Sequence, residues 1–351
     1  MHRIVSCRAP PFEVPFLFLW TLFVEFKGGY NIVRKINYYL LTILVLLSLL
    51  ISFAGCVPAS KDEGVSTTAF PVVTAKERFK IATTTSLYDT GLWYYLEPMF
   101  EKKYNVEMDI VYAGTGIALE YGRRGDVHAV VVHDRAAEDK FIADGYGINR
   151  RYFAYNFFII AGPPSDPAGI KDMSPEDAFK KLAEEGKKNP DKVKFVSRGD
   201  NSGTHSKEKL IWSKAGLKYE DVQRSGPWYI EAGKGMGPCL LMANEQGSYI
   251  LADISTFLAY KGKLDLVPLV EKGEIFLNVY AAMAINPDKI STAKLQMANN
   301  FINWLISDEV QKIIGTYGVA EYGRSLFYPT AGGGCKLPGC PTVDEYSKPV
   351  Q

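Results

Sequence analysis

An α/β fold, with mostly parallel sheets covered by helices, is the architecture that the sequence predicts from about Phe79 onward. Three observations predict it. Short apolar runs alternate with amphipathic helical patterns, and each run ends in a small, hydroxyl-rich or glycine-rich turn. The chain of 351 residues, 47% hydrophobic and 23% charged, is also long enough for more than one lobe with an ordinary core. Its net charge of +1 gives no electrostatic ground for nucleic acid or an anionic membrane surface as a partner.

The strand and helix signals follow in order along the chain. "FKIAT" at 79–83 reads as a strand before a helix around Thr90 to Lys103. "VEMDIVYA" leads into "GIALEYGRRG", "VHAVVVH" into "AAEDKFIADG", and "DKVKFVS" into "GTHSKEKLIWSKAG". Near the end, "NNFINWLISDEVQKIIGTYG" reads as one helical stretch. Trp93, Tyr94, Tyr95 and Trp304 fall at helical spacing and are expected in the core. No internal repeat of fixed period is visible.

The first 56 residues read differently. Arg34 and Lys35 precede an apolar run from Tyr38 to Ala54, roughly 25 Å long as a helix, which suits an export signal better than a permanent span. Ala54 and Gly55 stand directly before Cys56 and resemble the lipobox of prokaryotic lipoproteins, although Phe53 replaces the usual Leu. That resemblance implies lipidation at Cys56; an uncleaved anchor helix is the alternative. Either way the remainder is expected outside the cytoplasm, tethered to the membrane. Residues 1–32, with prolines inside an apolar stretch, read as translated upstream DNA ahead of a start at Val33. Residues 57–78, rich in Ser, Thr, Pro and Gly, read as a flexible tether.

The turns carry the chemistry. "TTTS" at 83–86, "GTG" at 114–116 and "RGDNSGTH" at 198–205 each lie between a strand and a helix. In open α/β sheets ligands sit off the carboxyl ends of strands, against helix N-termini. Unpaired N–H groups and the positive end of the helix dipole favour an anion there, and hydroxyls add donors without adding charge. Helix N-capping explains any one such turn. Three of them, one with an arginine, point to an oxyanion cradle.

The segments "ATTTSLYDTGL", "YAGTGIALEYGRRGDVHAVVVHD", "FFIIAGPPSDPAGI", "FVSRGDNSGTHSKEKLIW", "WYIEAGKGMGPCLLMANEQGSYILAD" and "NVYAAMAINP" resemble, in that order, the substrate-binding proteins of tungstate-type ABC uptake systems. The resemblance spans nearly all of residues 79–329. It implies the bilobed periplasmic-binding-protein fold of type II: two α/β lobes joined by a two-strand hinge, with the ligand in the interlobe cleft. On that reading residues 79–162 and 275–329 form lobe 1, residues 163–274 form lobe 2, and 330–351 are a C-terminal tail. "RYFAYNFFIIAGP" carries the chain out of lobe 1 and "EIFLNVYAAMAINP" brings it back. "SYILADISTF" lacks the arginine usual in the family's corresponding pattern.

The implied function is capture of a tetrahedral oxyanion outside the cytoplasm. Tungstate is the first expectation, with molybdate, sulfate and phosphate as alternatives, for delivery to an ABC permease and its ATPase. No catalysis, no cofactor and a monomer are expected. Carried over residue by residue, Thr84, Thr85, Ser86 and Thr115 meet the ligand from lobe 1, and Arg198, Ser202, Gly203 and Thr204 meet it from lobe 2. Asp200 is read as a support that orients Arg198. Its alternative role, as an acceptor for a protonated ligand, would point to phosphate.

Other features have plainer readings. "GDNSG" echoes a serine-protease loop, but Ser202 is displaced from that pattern and His205 is expected to be exposed, so a surface-anchored hydrolase is a remote alternative. His128 and His133 flank one strand without ligand-spaced partners, so no metal site is expected. "GKGMG" at 233–237 is no dinucleotide fingerprint but is a candidate for another helix N-terminus near the cleft. Cys335 and Cys340 enclose a Pro-Gly turn and suit a small disulfide loop in an exported protein, leaving Cys239 in a buried helix. The tail beyond about Tyr328 is expected to wrap loosely on the surface.

Overall fold

Strands and helices alternate along the chain from Glu77. They begin with β1 (Glu77–Thr84), α1 (Thr85–Asp89), α2 (Leu92–Tyr104), β2 (Val106–Ala113), α3 (Thr115–Arg124), β3 (Ala129–Val132) and α4 (Arg135–Ala143). A long strand β4 (Gly147–Gly162) follows, then α5 (Pro175–Lys188), β5 (Phe195–Ser197), α6 (Gly203–Lys214), α7 (Tyr219–Gln223), β6 (Tyr229–Glu231), α8 (Met236–Gln246), β7 (Tyr249–Asp253), α9 (Ile254–Ala259) and β8 (Val267–Val270). The chain finishes through β9 (Leu277–Ile285), α10 (Leu295–Leu305), α11 (Asp308–Thr316), α12 (Val319–Tyr322), β10 (Tyr328–Pro329) and α13 (Val343–Ser347). This computed structural model describes residues 75–331 and 333–351. The apolar run at Tyr38–Ala54, Cys56 and most of the expected tether lie outside the described residues. Among the described residues no helix is long and apolar enough to cross a membrane.

The strand order is β2-β1-β3-β9-β4-β7-β5-β6, with β8 and β10 also paired to β4. β1 runs parallel to β2 and β3, with Ile81 opposite Ile110 on one side and Ala129 on the other. All four residues of β3 are buried, which is why it reads as a continuous apolar run rather than an alternating one. β5 runs parallel to β6 and β7. β4 belongs to both sheets: most of its length pairs with β9, while Phe158 to Ala161 pair with β7, Phe158 standing opposite Asp253. The architecture is bilobed, two α/β lobes linked by β4 going out and β9 coming back.

Each lobe has an aromatic core. In the first, Trp93, Phe100, Phe301 and Trp304 are buried together, with Phe100 and Phe301 edge to face at 5.3 Å. In the second, Phe179, Phe195, Trp212 and Trp228 are all fully buried. Tyr94 and Tyr95, expected in the core beside Trp93, are 66% and 55% exposed. A helix turns about 100° per residue, so consecutive residues of α2 cannot all face one core.

Two other expectations are corrected. The stretch 299–318 is two helices, broken where Ser307 takes extended backbone angles to start α11. The tail is docked rather than loose. β10 pairs with β4, α13 begins with a Thr342/Glu345 capping box, and Tyr346 and Val350 are buried. Glu345 Oε1 accepts from Arg135 Nη2 at 2.8 Å, and Asn303 Nδ2 donates to the Val350 carbonyl at 2.9 Å. Cys335 and Cys340 are disulfide-bonded, and Cys239 is a buried free thiol in α8.

Candidate functional site

The carboxyl ends of β1, β2, β3 and β5 converge between the lobes. Thr84 ends β1 and caps α1, Gly114 ends the turn before Thr115 opens α3, and Ser202 caps α6. Gly199 takes φ +60, and an added Cβ there would stand 2.8 Å from Glu231 Cβ, so the turn after Arg198 requires glycine. Thr84, Ser86, Thr115, Arg198, Ser202 and Thr204 are each no more than 2% exposed; Thr85 and Asp200 are half-buried.

The lobes touch through these residues. Arg198 Nη2 donates to Thr85 Oγ1 at 3.0 Å, and the Gly203 amide donates to Thr115 Oγ1 at 3.0 Å. Arg198 is held from its own lobe as well: Nε donates to the Lys234 carbonyl at 3.3 Å and Nη2 to Asp200 Oδ2. Asp200 Oδ1 accepts from the Ser202 amide at 3.1 Å, so both carboxylate oxygens are engaged in holding the loop. Lys234 lies in "GKGMG", and Gly235 caps α8 with its Cα close to Thr85, which puts that motif beside the arginine.

Capping and anion binding turn out to be compatible here. Thr84 Oγ1 accepts from the Leu87 amide, Ser202 Oγ from the His205 amide, Thr115 Oγ1 from Gly203 and Thr85 Oγ1 from Arg198. A hydroxyl that accepts an N–H through a lone pair still has its own hydrogen to donate. Two buried donors, Arg198 Nη1 and Thr204 Oγ1, have no hydrogen-bond partner among the described residues. An orphaned buried donor is costly, roughly 1–3 kcal/mol and more for a charged one, so such groups mark where a ligand belongs. The set is rich in donors and suits a proton-free anion.

His205 is buried, against expectation. Its Nδ1 accepts from the Asn201 amide at 3.0 Å while Tyr219 on α7 covers its Nε2 at 2.6 Å, so it braces the loop. Glu208 braces it too: fully buried and pushed up to about 7 by that burial, it accepts from Ser197 Oγ, Trp212 Nε1 and Tyr229 Oη.

His133 is the residue that the sequence reading left out of the site. Its Nε2 lies 3.1 Å from Ser86 Oγ and its Nδ1 2.9 Å from Asn278 Oδ1, and its ring packs on the Cα of Gly203, where a Cβ would meet it at 2.8 Å. The signal was available: "VVVHD" ends a buried strand that runs parallel to β1, so His133 stands at the same edge of the first lobe's sheet as Thr84. Asn156 and Asn278, buried polar residues within apolar strands, were also visible in "AYNFF" and "LNVYA".

Two α/β lobes joined by a strand pair, with donors from both lobes buried between them, define a two-lobed binding protein. The model of the PBP superfamily domain matches residues 65–309, and the chain belongs to that family. A curated relative, the tungstate-binding protein TupA of Peptoclostridium acidaminophilum, is 40% identical over 82% of this chain and 97% of its own length. Among solved structures, the tungstate ABC transporter protein from Geobacter sulfurreducens is 47% identical, covers 70% of this chain and 100% of its own, and has a TM-score of 0.62. The tungstate-binding protein TupA from Desulfovibrio alaskensis G20 is 37% identical, covers 72% of this chain and 98% of its own, and has a TM-score of 0.59.

Proposed function

We propose that this protein is an extracytoplasmic receptor that captures a tetrahedral oxyanion, tungstate before molybdate, sulfate or phosphate, and delivers it to an ABC permease and its ATPase. The observation that carries this reading is that Arg198 Nη1 and Thr204 Oγ1 are buried and unpartnered among the described residues, beside turns in which Thr85, Thr115 and Ser202 accept N–H bonds and keep their own hydroxyl hydrogens to donate. The relatives' tungstate binding supports the choice of anion. Thr84, Thr85, Ser86 and Thr115 from lobe 1 (79–162 and 275–329) and Arg198, Ser202, Gly203 and Thr204 from lobe 2 (163–274) are the proposed contacts. Only a ligand that touches both lobes stabilises their closure, which is the state a permease would recognise. No turnover is part of this reading, and the chain acts as a monomer tethered through Cys56 or an uncleaved leader.

Asp200 serves this reading as a support. With its oxygens on Arg198 and the Ser202 amide it holds the guanidinium toward the cleft, and the donor-rich remainder of the site offers a protonated anion little to donate to. A charge-assisted hydrogen bond contributes roughly 1.5–3 kcal/mol, so about half a dozen donors supply roughly 9–18 kcal/mol, a range that spans the roughly 12 kcal/mol of nanomolar binding before desolvation and closure costs. Isothermal titration with the four anions tests the order. Tungstate binds tightest, molybdate follows, and sulfate and phosphate are weaker; tightest binding of phosphate would replace this reading with one in which Asp200 accepts the ligand's proton.

A further inference from the structure

The Ser86 hydroxyl differs from its neighbours, and its direction follows from a chain of buried hydrogen bonds that starts at Asp253. The Asp253 carboxylate accepts from the Thr256 amide at 2.9 Å and from Thr256 Oγ1 at 2.7 Å, so both its oxygens act as acceptors. Ser255 Oγ gives its one hydrogen to Asp253 Oδ1 at 3.0 Å and must therefore accept from Asn156 Nδ2. That turns Asn156 Oδ1 toward Asn278, whose Nδ2 donates to it at 2.8 Å and also reaches Tyr280 Oη at 2.9 Å. Asn278 Oδ1 is left facing His133 Nδ1, and a carbonyl oxygen can only accept. The imidazole proton is thus on Nδ1, Nε2 carries a lone pair, and that lone pair takes the Ser86 hydroxyl hydrogen. Asn156 and Asn278 lie on the two strands that cross between the lobes, so the chain runs through the hinge to the site.

We propose that oxyanion capture is coupled to uptake of one proton by His133. Protonation of Nε2 by solvent reverses its bond to Ser86, so the ring donates to Ser86 Oγ and the Ser86 hydrogen is released toward a proton-free dianion. The proposal rests on the reading of the cleft given above and makes His133 a positioning residue that couples anion charge to pH. A cavity of about 800 Å³ has His133, Asp134, Lys207 and Glu274 among its lining residues, and His133 keeps 7% of its surface exposed, so solvent comes up to this residue. The charged and titratable groups around His133 are Asp134 beside it, Asp253 from the end of β7, Arg198 from the end of β5, Tyr280 from β9 with its ring centroid 5.0 Å away, and Lys207 from α6 across the cavity.

Burial holds the His133 pKa below its usual value of 6.5, so the ring is neutral at and above neutral pH when no anion is bound. A dianion next to it favours the imidazolium and raises that pKa. Between the two values affinity strengthens as pH falls, by about tenfold per pH unit for one coupled proton.

Calorimetric titration of the wild-type protein with sodium tungstate, repeated in buffers of different ionisation heat at about pH 7 to 8, counts the protons. About one proton per tungstate is expected, with Kd weakening up to about tenfold per pH unit. His133→Gln binds more weakly, with the uptake and the pH dependence gone. Tungstate binding by the wild type without proton uptake overturns the proposal, and so does equal uptake in His133→Gln, which would put the proton on the anion. Should that variant not fold, imidazole nitrogen NMR of the wild type decides: a neutral Nδ1–H ring when free and an imidazolium when saturated support the coupling, whereas a neutral ring at saturation overturns it. A wild type that binds no tungstate at all removes the reading of the cleft, and the proposal with it, an outcome distinct from binding without a proton.

Discussion

Arg198→Ala weakens tungstate binding by about 2–5 kcal/mol, roughly thirtyfold to several thousandfold in Kd, as expected for truncating one partner of a desolvated charge contact. The structure adds a second cause to the lost attraction. Asp200 Oδ2 loses its guanidinium partner, and its carboxylate then faces the anion uncompensated. Arg198→Lys keeps the charge but loses the planar fork that reaches Thr85, Asp200 and the Lys234 carbonyl together, so its loss is smaller but measurable. A double change of Arg198 and Asp200 to alanine recovers part of the affinity lost by Arg198→Ala alone, because the repulsive carboxylate has gone. Titration calorimetry on the three variants gives the order, and equal affinities for wild type and Arg198→Ala would remove the arginine from the site.

Trp212→Ala lowers stability by about 3–5 kcal/mol and the thermal midpoint by on the order of 10 °C. Trp212 is fully buried in the second lobe, with ring centroids 4.3 Å from Phe179, 5.7 Å from Phe195 and 6.1 Å from Trp228. Its indole N–H donates to Glu208 Oε1 at 3.0 Å, and Glu208 in turn holds Ser197 just before the arginine. The variant therefore loses packing and loosens the loop that aims Arg198, and its affinity falls with its midpoint. Trp212→Phe keeps most of the volume and loses the hydrogen bond, so its midpoint lies between those of the other two. Equal midpoints for Trp212→Ala and wild type, measured by thermal unfolding without ligand, would contradict the packing described.

The βα order was legible because apolar runs alternate with amphipathic helical patterns; "AVVV" of β3, buried on both faces, stands out most plainly, whereas β2 keeps exposed residues among its apolar ones. The turns that carry Thr84, Thr115 and Arg198 were legible because glycine and hydroxyl residues are what a strand-to-helix turn with exposed N–H groups needs. Their meeting across two lobes came from family resemblance, since local pattern does not encode which strand ends face each other. His133 was passed over because its partners, Ser86 and Asn278, lie 47 and 145 residues away in sequence. Histidine also has no fixed spacing when it works through hydrogen bonds rather than through a metal. His205 was placed outside because only the later helix α7 brings Tyr219 over it. The single helix expected at 299–318 failed at Ser307, whose extended backbone angles break the helix and whose hydroxyl donates back to the Trp304 carbonyl at 2.7 Å, a local bond that the apolar period does not reveal.

The central claim is that one proton-free oxyanion sits between the lobes against donors from both. Anomalous diffraction at the tungsten edge, from crystals of the protein grown with tungstate, tests it most directly. One strong peak within hydrogen-bonding reach, through the oxyanion's own oxygens, of Arg198 Nη1 and Thr204 Oγ1 on one side and of the Thr84 to Ser86 turn on the other is the predicted result. A peak touching only one lobe, or lying away from Arg198, would contradict it.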